Sequence, residues 1–224
     1  MNEIWREILY PLGYLSALAF GARFVLQWLM SEWKGKSVVP RAFWQLSLVG
    51  NCLLVLHSLI QMQFHVCLVQ GCNAIISWRN LNLMQLPERR VKLHTVIELF
   101  SLTCVSIVLL FLIEGYYSPD GVVWFRVPLS LEVTSNTPVG LGWHLLGFLG
   151  LILFSSRFWV QWWEAEREQS SQLGLSFWWL SLSGGLISLV YFARIDDWVN
   201  LIGPLFGLIP YLRNIMLVRA SEKH

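Results

Sequence analysis

The sequence contains one block twice, and the second copy follows the first at a constant offset. The register holds without a gap from Leu12, which matches Leu146, to Leu83, which matches Leu217, a shift of 134 residues throughout. Roughly twenty positions are identical, which is typical of one structural unit used twice. The identical positions in the first copy include Arg23, Phe24, Gln27, Trp28, Glu32, Ser37, Phe43, Trp44, Ser47, Gly50, Arg79 and Asn80. We therefore predict two copies of one fold joined by a spacer.

The composition indicates what kind of unit is repeated. Hydrophobic residues make up 55% of the 224 residues and charged residues 13%, which is more apolar surface than a soluble core of that size needs. Each copy holds three apolar stretches of about the 17 to 25 residues that cross a bilayer. They are 9–30, 43–60 and 66–84 in the first copy, and 143–163, 177–193 and 199–218 in the second. The pattern predicts an all-α membrane protein.

A further apolar stretch, 95–115, lies between the copies and has no counterpart in either of them. The polar segment that follows it, 116–142, is predicted to be an extracytoplasmic loop. The predicted fold is polytopic, with seven transmembrane helices: a three-helix repeat at 9–84, one linking helix, and a second three-helix repeat at 143–218. Because a single linking helix returns the chain to its starting side, the repeats are predicted to be parallel, as in SWEET and PQ-loop proteins.

The lysines and arginines that flank these stretches predict the orientation. Apart from the two arginines inside helices, Arg23 and Arg157, the basic residues divide unequally between the two sides of the membrane. One side collects Lys34, Lys36, Arg41, Arg79, Arg89, Arg90, Lys92, Arg167, Arg213, Arg219 and Lys223, and the other collects Arg6, Arg126 and Arg194. The positive-inside rule assigns the larger set to the cytoplasm, which predicts an N-terminus outside and a C-terminus inside.

The first helix contains a feature of a signal peptide, since Ala17-Leu18-Ala19 resembles a cleavage site. The same helix recurs in the middle of the chain, where it would not be processed. We therefore expect the first helix to be retained in the membrane.

Arg23 and Arg157 are the first candidate ligand-binding residues, because a charge inside a membrane helix is costly. Each has a glutamine four residues later, Gln27 and Gln161, which shares its helix face. Two guanidiniums brought together by the repeat would suit a phosphate or a carboxylate. Two alternatives remain: each arginine locks its own three-helix unit together through carbonyl oxygens or a glutamate, or it extends to the cytoplasmic headgroups.

Positions at which the copies differ also indicate binding, since a ligand seldom has twofold symmetry. Asn51 matches Gly185, and Asn73 matches Gly207. Asparagines in apolar helices are expected to face the helix bundle, where they contact either a ligand or a neighbouring helix. His57, which matches Tyr191, is the weaker candidate because a single histidine on an apolar helix usually packs.

The tryptophans concentrate toward the predicted cytoplasmic ends, where interfacial anchoring explains most of them. Trp44 and Trp178 are the two candidates for stacking on a sugar ring. The four cysteines lie in apolar stretches without the spacing of metal ligands and are interpreted as packing residues.

The sequence shows none of the nucleotide-binding or hydrolytic motifs, and its longest polar stretch is too short for a glycosyltransferase domain. No catalytic residue, cofactor or metal is predicted. The basic patches lie at membrane ends and therefore favour anionic lipids over nucleic acid as partners. The sequence leaves oligomerisation open.

Several of these motifs together resemble a known family. The segment from Arg23 to Trp28, the segment from Ser37 to Trp44, Ser47 with Gly50, and Arg79-Asn80-Leu81 are similar to the lipid A biosynthesis N-terminal domain, a relative of the PQ-loop and SWEET units. The resemblance covers both copies. The second copy departs from it by having Gly174 where the first has Pro40.

The resemblance implies a function. In this family a duplicated domain precedes the glycosyltransferase of some lipid-A-disaccharide synthases, which join UDP-diacylglucosamine to diacylglucosamine phosphate on the cytoplasmic face. We therefore expect an inner-membrane module that binds or presents an acylated sugar phosphate, with membrane lipids and a fused or separate glycosyltransferase as partners. The chain itself is expected to lack the catalytic part. The alternative is a SWEET-like transporter or flippase of a sugar or lipid-linked sugar.

Overall fold

A computed structural model of the chain describes residues 3–117, 124, 140–194 and 198–221. The regular structure within these residues is entirely helical. The helices are α1 (Glu3–Ile8), α2 (Pro11–Lys34), α3 (Arg41–Ile60), α4 (Phe64–Leu83), α5 (Leu93–Tyr117), α6 (Leu141–Glu168), α7 (Leu175–Arg194) and α8 (Trp198–Ser221), with a 3₁₀ turn at Pro87–Arg89. Most of the predicted loop at 116–142 lies outside the described residues. The all-helical prediction is confirmed.

The helix boundaries repeat with the sequence. Helices α2 and α6 end at matching residues, Lys34 and Glu168, and α3 and α7 begin at matching residues, Arg41 and Leu175. After α2 and α6 the chain turns through a left-handed residue in each copy, Gly35 with φ of 62° and Gln169 with φ of 50°. Glycine adopts this conformation without strain, whereas glutamine does not. The local geometry of the helix ends is therefore repeated even where the residue type is not.

The chain forms two compact units. The first comprises 1–26 and 40–131, and the second comprises 27–39 and 132–224. In the first unit α4 packs against α3 and α5. An apolar cluster forms where α3 turns into α4, and its members are Met62, Cys67, Ile107 and Phe111, with Phe64 and Trp124 against them.

In the second unit α7 packs against both α6 and α8. Helix α8 continues through Pro204 and Pro210, although proline removes a backbone hydrogen bond within a helix. The side chain of Asn214 donates to the carbonyl oxygen of Pro210 at 2.9 Å, as that of the matching Asn80 donates to the carbonyl oxygen of Ile76 at 2.9 Å.

Among the described residues, five segments are long and apolar enough to cross a membrane: Arg6–Lys34, Arg41–Ile60, Pro87–Tyr117, Leu141–Glu168 and Leu175–Arg194. Many large apolar side chains on them are exposed, for example Leu18 at 68% and Leu102 at 62%. Such an extended apolar surface is suited to lipid. The chain is therefore of membrane-protein character.

The predicted total of seven transmembrane helices stays a prediction. Of the long helices, α4 and α8 are not among these five in the part of the chain that the structure describes, and they are the matching third helices of the two copies. Helix α4 buries several polar side chains, including Arg79, Asn80 and Asn82. These polar side chains lower its apolar character while directing it toward the protein interior.

Candidate functional site

Arg23 lies in α2 with only 5% of its surface exposed. Its Nη1 donates to Ser47 Oγ on α3 at 2.8 Å, and the serine hydroxyl in turn donates to the carbonyl oxygen of Phe43 at 2.6 Å. The guanidinium also lies over three aromatic rings, with its carbon 4.6 Å from the centroid of Phe20, 4.9 Å from Phe24 and 5.3 Å from Phe43. The site is an aromatic cage with one polar wall.

Arg157 has the same surroundings in the second copy. It is 3% exposed, and its Nη1 donates to Ser181 Oγ at a longer distance of 3.4 Å. The rings of Phe154, Phe158 and Phe177 lie 3.5, 4.9 and 5.5 Å from the guanidinium carbon. Every member of this cage matches a member of the first one at the offset of the repeat.

The two cages explain why these residues recur. Cation–π contacts are strongest where the cation has lost its water, as it has here. Because the arginine lies on the first helix of each copy and the serine on the second, each cage joins two helices. The contacts described here hold each buried cation within its own unit.

Gln27 and Gln161 are both fully buried. The side-chain amide of Gln27 donates to the carbonyl oxygen of Val38 at 3.3 Å, and that of Gln161 donates to the matching carbonyl of Gln172 at 3.1 Å. Each glutamine therefore holds the segment that follows its helix.

Gln27 also exchanges hydrogen bonds with Asn214. Its Nε2 donates to Asn214 Oδ1 at 2.8 Å, and Asn214 Nδ2 donates back to Gln27 Oε1 at 3.3 Å. Ser37 Oγ donates to the same asparagine oxygen at 3.0 Å. Nearby, Arg213 binds Glu32 through two hydrogen bonds of 2.6 and 2.9 Å. Sequence reasoning missed this network as a site, although its members stand at repeated positions.

Trp44 and Trp178 are both fully buried, and each ring stands edge-on to the preceding phenylalanine. The two indoles differ in their hydrogen bonding. Trp178 Nε1 donates to the carbonyl oxygen of Leu173 at 3.1 Å. For Trp44 Nε1, the described part of the chain provides no acceptor.

Asn51 is buried, and its Nδ2 donates to Ser77 Oγ at 3.1 Å. Ser77 Oγ donates in turn to the backbone oxygen of Asn73 at 2.8 Å. The structure thus brings the two candidate asparagines together through one serine. The side-chain oxygen of Asn73 is buried, and no donor reaches it from the described residues.

His57 takes part in an exchange that sequence comparison overlooked. Its ring lies 5.3 Å from that of Tyr10 in the first copy, whereas Tyr191 lies 6.1 Å from His144 in the second. The tyrosine and the histidine have exchanged positions between matching sites, and His144 Nδ1 is 3.0 Å from the Tyr191 hydroxyl. The pair packs in both copies, which favours the packing role expected for His57.

The relatives found by comparison with known proteins share one name, lipid-A-disaccharide synthase. The chain is 36% identical to a lipid-A-disaccharide synthase of Chlamydia abortus over 222 residues, which is 97% of this chain and 35% of that protein. It is 39% identical to proteins of the same name from Chlamydia pneumoniae and Chlamydia trachomatis serovar D, over 96% and 93% of this chain and 34% of each relative. The chain therefore spans about a third of the length of these relatives.

No solved structure matches the chain. The relatives carry the name of a synthase, so the comparisons give no support to the transporter alternative. The family model described as Lipid A Biosynthesis N-terminal domain matches twice, at residues 12–82 and 146–216. These two matches stand at the offset of the repeat and confirm the resemblance, and the chain belongs to the lipid A biosynthesis N-terminal domain family.

Proposed function

We propose that this chain is an inner-membrane module that binds an acylated sugar phosphate and presents it to a glycosyltransferase of lipid A biosynthesis. The observation that carries the proposal is the alignment of almost the whole chain with about a third of each lipid-A-disaccharide synthase. A glycosyltransferase, either fused or separate, would use the presented lipid.

The chemistry of the buried side chains supports a ligand of this class. Arg23 and Arg157 are guanidiniums, whose planar donors match the oxygens of a phosphate. Gln27 and Gln161 carry amides one helical turn away, on the same face. The exposed apolar side chains of the helices provide a surface for acyl chains. Recognition of the sugar would fall to candidates of the first copy, Asn51, Asn73 and Trp44.

The proposed topology has seven transmembrane helices, α2 to α8, with α5 linking two parallel three-helix repeats. Helix α4 has 20 residues and α8 has 24, so at about 1.5 Å per residue each is close to the roughly 30 Å of a hydrocarbon core. The excess of basic residues favours a periplasmic N-terminus and a cytoplasmic C-terminus. This orientation would place the basic ends of the repeats on the side where nucleotide-activated sugars are found.

A direct test is native mass spectrometry of the purified chain in detergent with diacylglucosamine phosphate as the probe. Phosphatidic acid is the control, because it has the same phosphate and acyl chains but no sugar. We expect one class of adduct with the sugar lipid, and weaker binding of phosphatidic acid. Equal retention of both lipids, or of neither, would contradict the proposal.

The arginines are tested with the same probe. Arg23→Lys and Arg157→Lys keep the charge but lose the fork of donors, so we expect weaker binding of diacylglucosamine phosphate by variants that still unfold cooperatively on heating. If both variants bind like the unaltered chain, or if both fail to fold, the arginines do not contact the ligand.

A further inference from the structure

A tyrosine fills the centre of the second unit. Tyr211 on α8 is 3% exposed and packs 6.3 Å, between ring centroids, from Trp178. It lies directly on two glycines: a Cβ added to Gly207 would be 2.6 Å from its hydroxyl oxygen, and one added to Gly185 would be 3.5 Å from its ring. Its hydroxyl is also hydrogen-bonded to Arg157. The ring therefore needs Gly207 in order to fit, whereas a Cβ at Gly185 would make an ordinary contact with it.

The first copy has changed all three of these positions together. Ser77 stands where Tyr211 does, Asn51 where Gly185 does, and Asn73 where Gly207 does. An asparagine at the position of Gly207 would collide with a tyrosine at the position of Tyr211, so these two residues have to change together. One aromatic ring in the second unit is thus replaced in the first by three short polar side chains.

The polar groups of the first unit are incompletely paired. Trp44 Nε1 is a donor without an acceptor, and Asn73 Oδ1 is an acceptor without a donor, among the residues that the structure describes. Leaving such groups buried and unpaired is costly. In the second unit the matching indole is satisfied by Leu173, and the matching amide is absent. One ligand hydroxyl could accept from the indole and another could donate to the amide oxygen, so a ligand with several hydroxyl groups would satisfy both.

We propose that the first unit contains a buried pocket for a hydroxyl-bearing sugar, formed by Trp44, Asn51, Asn73 and Ser77, and that Tyr211 plugs the equivalent pocket of the second unit. This inference rests on the proposed function and deepens it. It assigns the sugar to one repeat, so that each chain binds one sugar headgroup. It also gives the two matching tryptophans different roles: Trp44 contacts the ligand, whereas Trp178 packs against neighbouring side chains.

The inference can be tested by exchanging these three residues between the copies. The variant N51G/N73G/S77Y gives the first unit the residues of the second, and G185N/G207N/Y211S is the matched control. With diacylglucosamine phosphate as the probe in native mass spectrometry, we expect the first variant to bind at least about tenfold more weakly, as expected for the loss of one or more hydrogen bonds. We expect the control to retain one bound lipid.

Two single variants keep the test decisive if a triple variant does not fold. Trp44→Phe removes a donor that finds no acceptor among the described residues, so binding should fall by roughly tenfold while the temperature of unfolding stays close to that of the unaltered chain. Trp178→Phe removes the hydrogen bond to Leu173, so the temperature of unfolding should fall and binding should persist.

The outcomes separate the two proposals. If the unaltered chain retains no diacylglucosamine phosphate, the proposed function fails, and the pocket fails with it. If the unaltered chain binds the lipid while N51G/N73G/S77Y or Trp44→Phe binds it equally well, the pocket is wrong and the proposed function stands. Loss of binding in Trp178→Phe but not in Trp44→Phe would assign the sugar to the second unit and also overturn the inference.

Discussion

At the scale of single residues, two buried arginines are held by closely similar contacts in two copies of one sequence. Each guanidinium lies in a cage of three phenylalanines and one serine. The serine hydroxyl has two roles, because it accepts from the arginine and donates to a carbonyl oxygen of its own helix. Aromatic rings and polar groups can stabilise a buried cation in this way.

The copies differ in how closely the serine approaches, and this difference leads to a prediction. The distance from Arg23 to Ser47 is 2.8 Å, whereas that from Arg157 to Ser181 is 3.4 Å, and Arg157 also has the Tyr211 hydroxyl. We expect Ser47→Ala to lower the free energy of unfolding by about 1 kcal/mol, and Ser181→Ala by about half of that. Denaturation of the two variants in detergent measures the difference, and a larger loss for Ser181→Ala would contradict it.

The sequence was sufficient to predict that these arginines matter, because a charge in an apolar helix stands out by itself. It could not predict the cage. Phe20 and Phe154 look like ordinary apolar residues of a membrane helix, and only the fold shows that they face a guanidinium. For the same reason the triple exchange around Tyr211 was only partly visible: the two asparagines were singled out, but the tyrosine that explains them was not.

At the scale of helices, glycines set how closely neighbours approach. Gly50 on α3 and Gly184 on α7 stand at matching positions but meet different atoms. A Cβ on Gly50 would be 2.7 Å from the ring of Phe20, whereas one on Gly184 would be 2.7 Å from the backbone nitrogen of Phe154. A ring can turn aside more easily than a helix backbone can move.

We therefore expect the two alanine substitutions to differ. Replacing a helical glycine by alanine gains roughly 0.5 to 1 kcal/mol of helix stability. At Gly50 this gain should nearly offset the displacement of Phe20. At Gly184 the helices must separate, so Gly184→Ala should destabilise by about 1 to 3 kcal/mol. Thermal unfolding of both variants tests this. Equal unfolding temperatures would show that Gly184 does not make a tighter helix contact than Gly50.

Asn82 makes three of the hydrogen bonds that hold the turn between α4 and α5. Asn82 Oδ1 accepts from Arg79 Nη1 at 2.8 Å and from the backbone nitrogen of Val91 at 3.0 Å. Its Nδ2 donates to the carbonyl oxygen of Arg89 at 3.3 Å. The matching residue of the second copy, Met216, is 60% exposed and makes no comparable turn.

Asn82→Ala should therefore loosen this turn. Trypsin cleaves after the exposed Arg89 and Lys92 only when the turn opens, so we expect cleavage there to become about tenfold faster for each 1.4 kcal/mol of local stability that is lost. Met216→Ala is the control and should be cleaved like the unaltered chain. If Asn82→Ala is also unchanged, other contacts hold the turn.

At the scale of the whole molecule, the repeat was the most reliable source of prediction. A register kept over so many residues implies that the two copies have the same backbone fold. The ends of α2 at Lys34 and of α6 at Glu168, which are matching positions, agree with this prediction. Membrane character followed from composition. Seven transmembrane helices remain a prediction, because the third helix of the first copy, α4, carries polar residues that are buried in the interior, among them Arg79, Asn80 and Asn82.

The orientation of the repeats leads to the final prediction. Residues Lys36 and Ser170 match one another and follow the first helix of each copy, so parallel repeats place both in the cytoplasm. In a chain whose four cysteines are replaced by alanine, Lys36→Cys and Ser170→Cys should react with a membrane-impermeant maleimide only after spheroplasts are permeabilised. Gly140→Cys, which lies before α6, should react in intact spheroplasts. Labelling of Lys36→Cys and Ser170→Cys from opposite sides would mean that the repeats are inverted. Labelling of both from outside would mean that the orientation is the reverse of the predicted one. The chain could then no longer present the proposed lipid to a cytoplasmic enzyme.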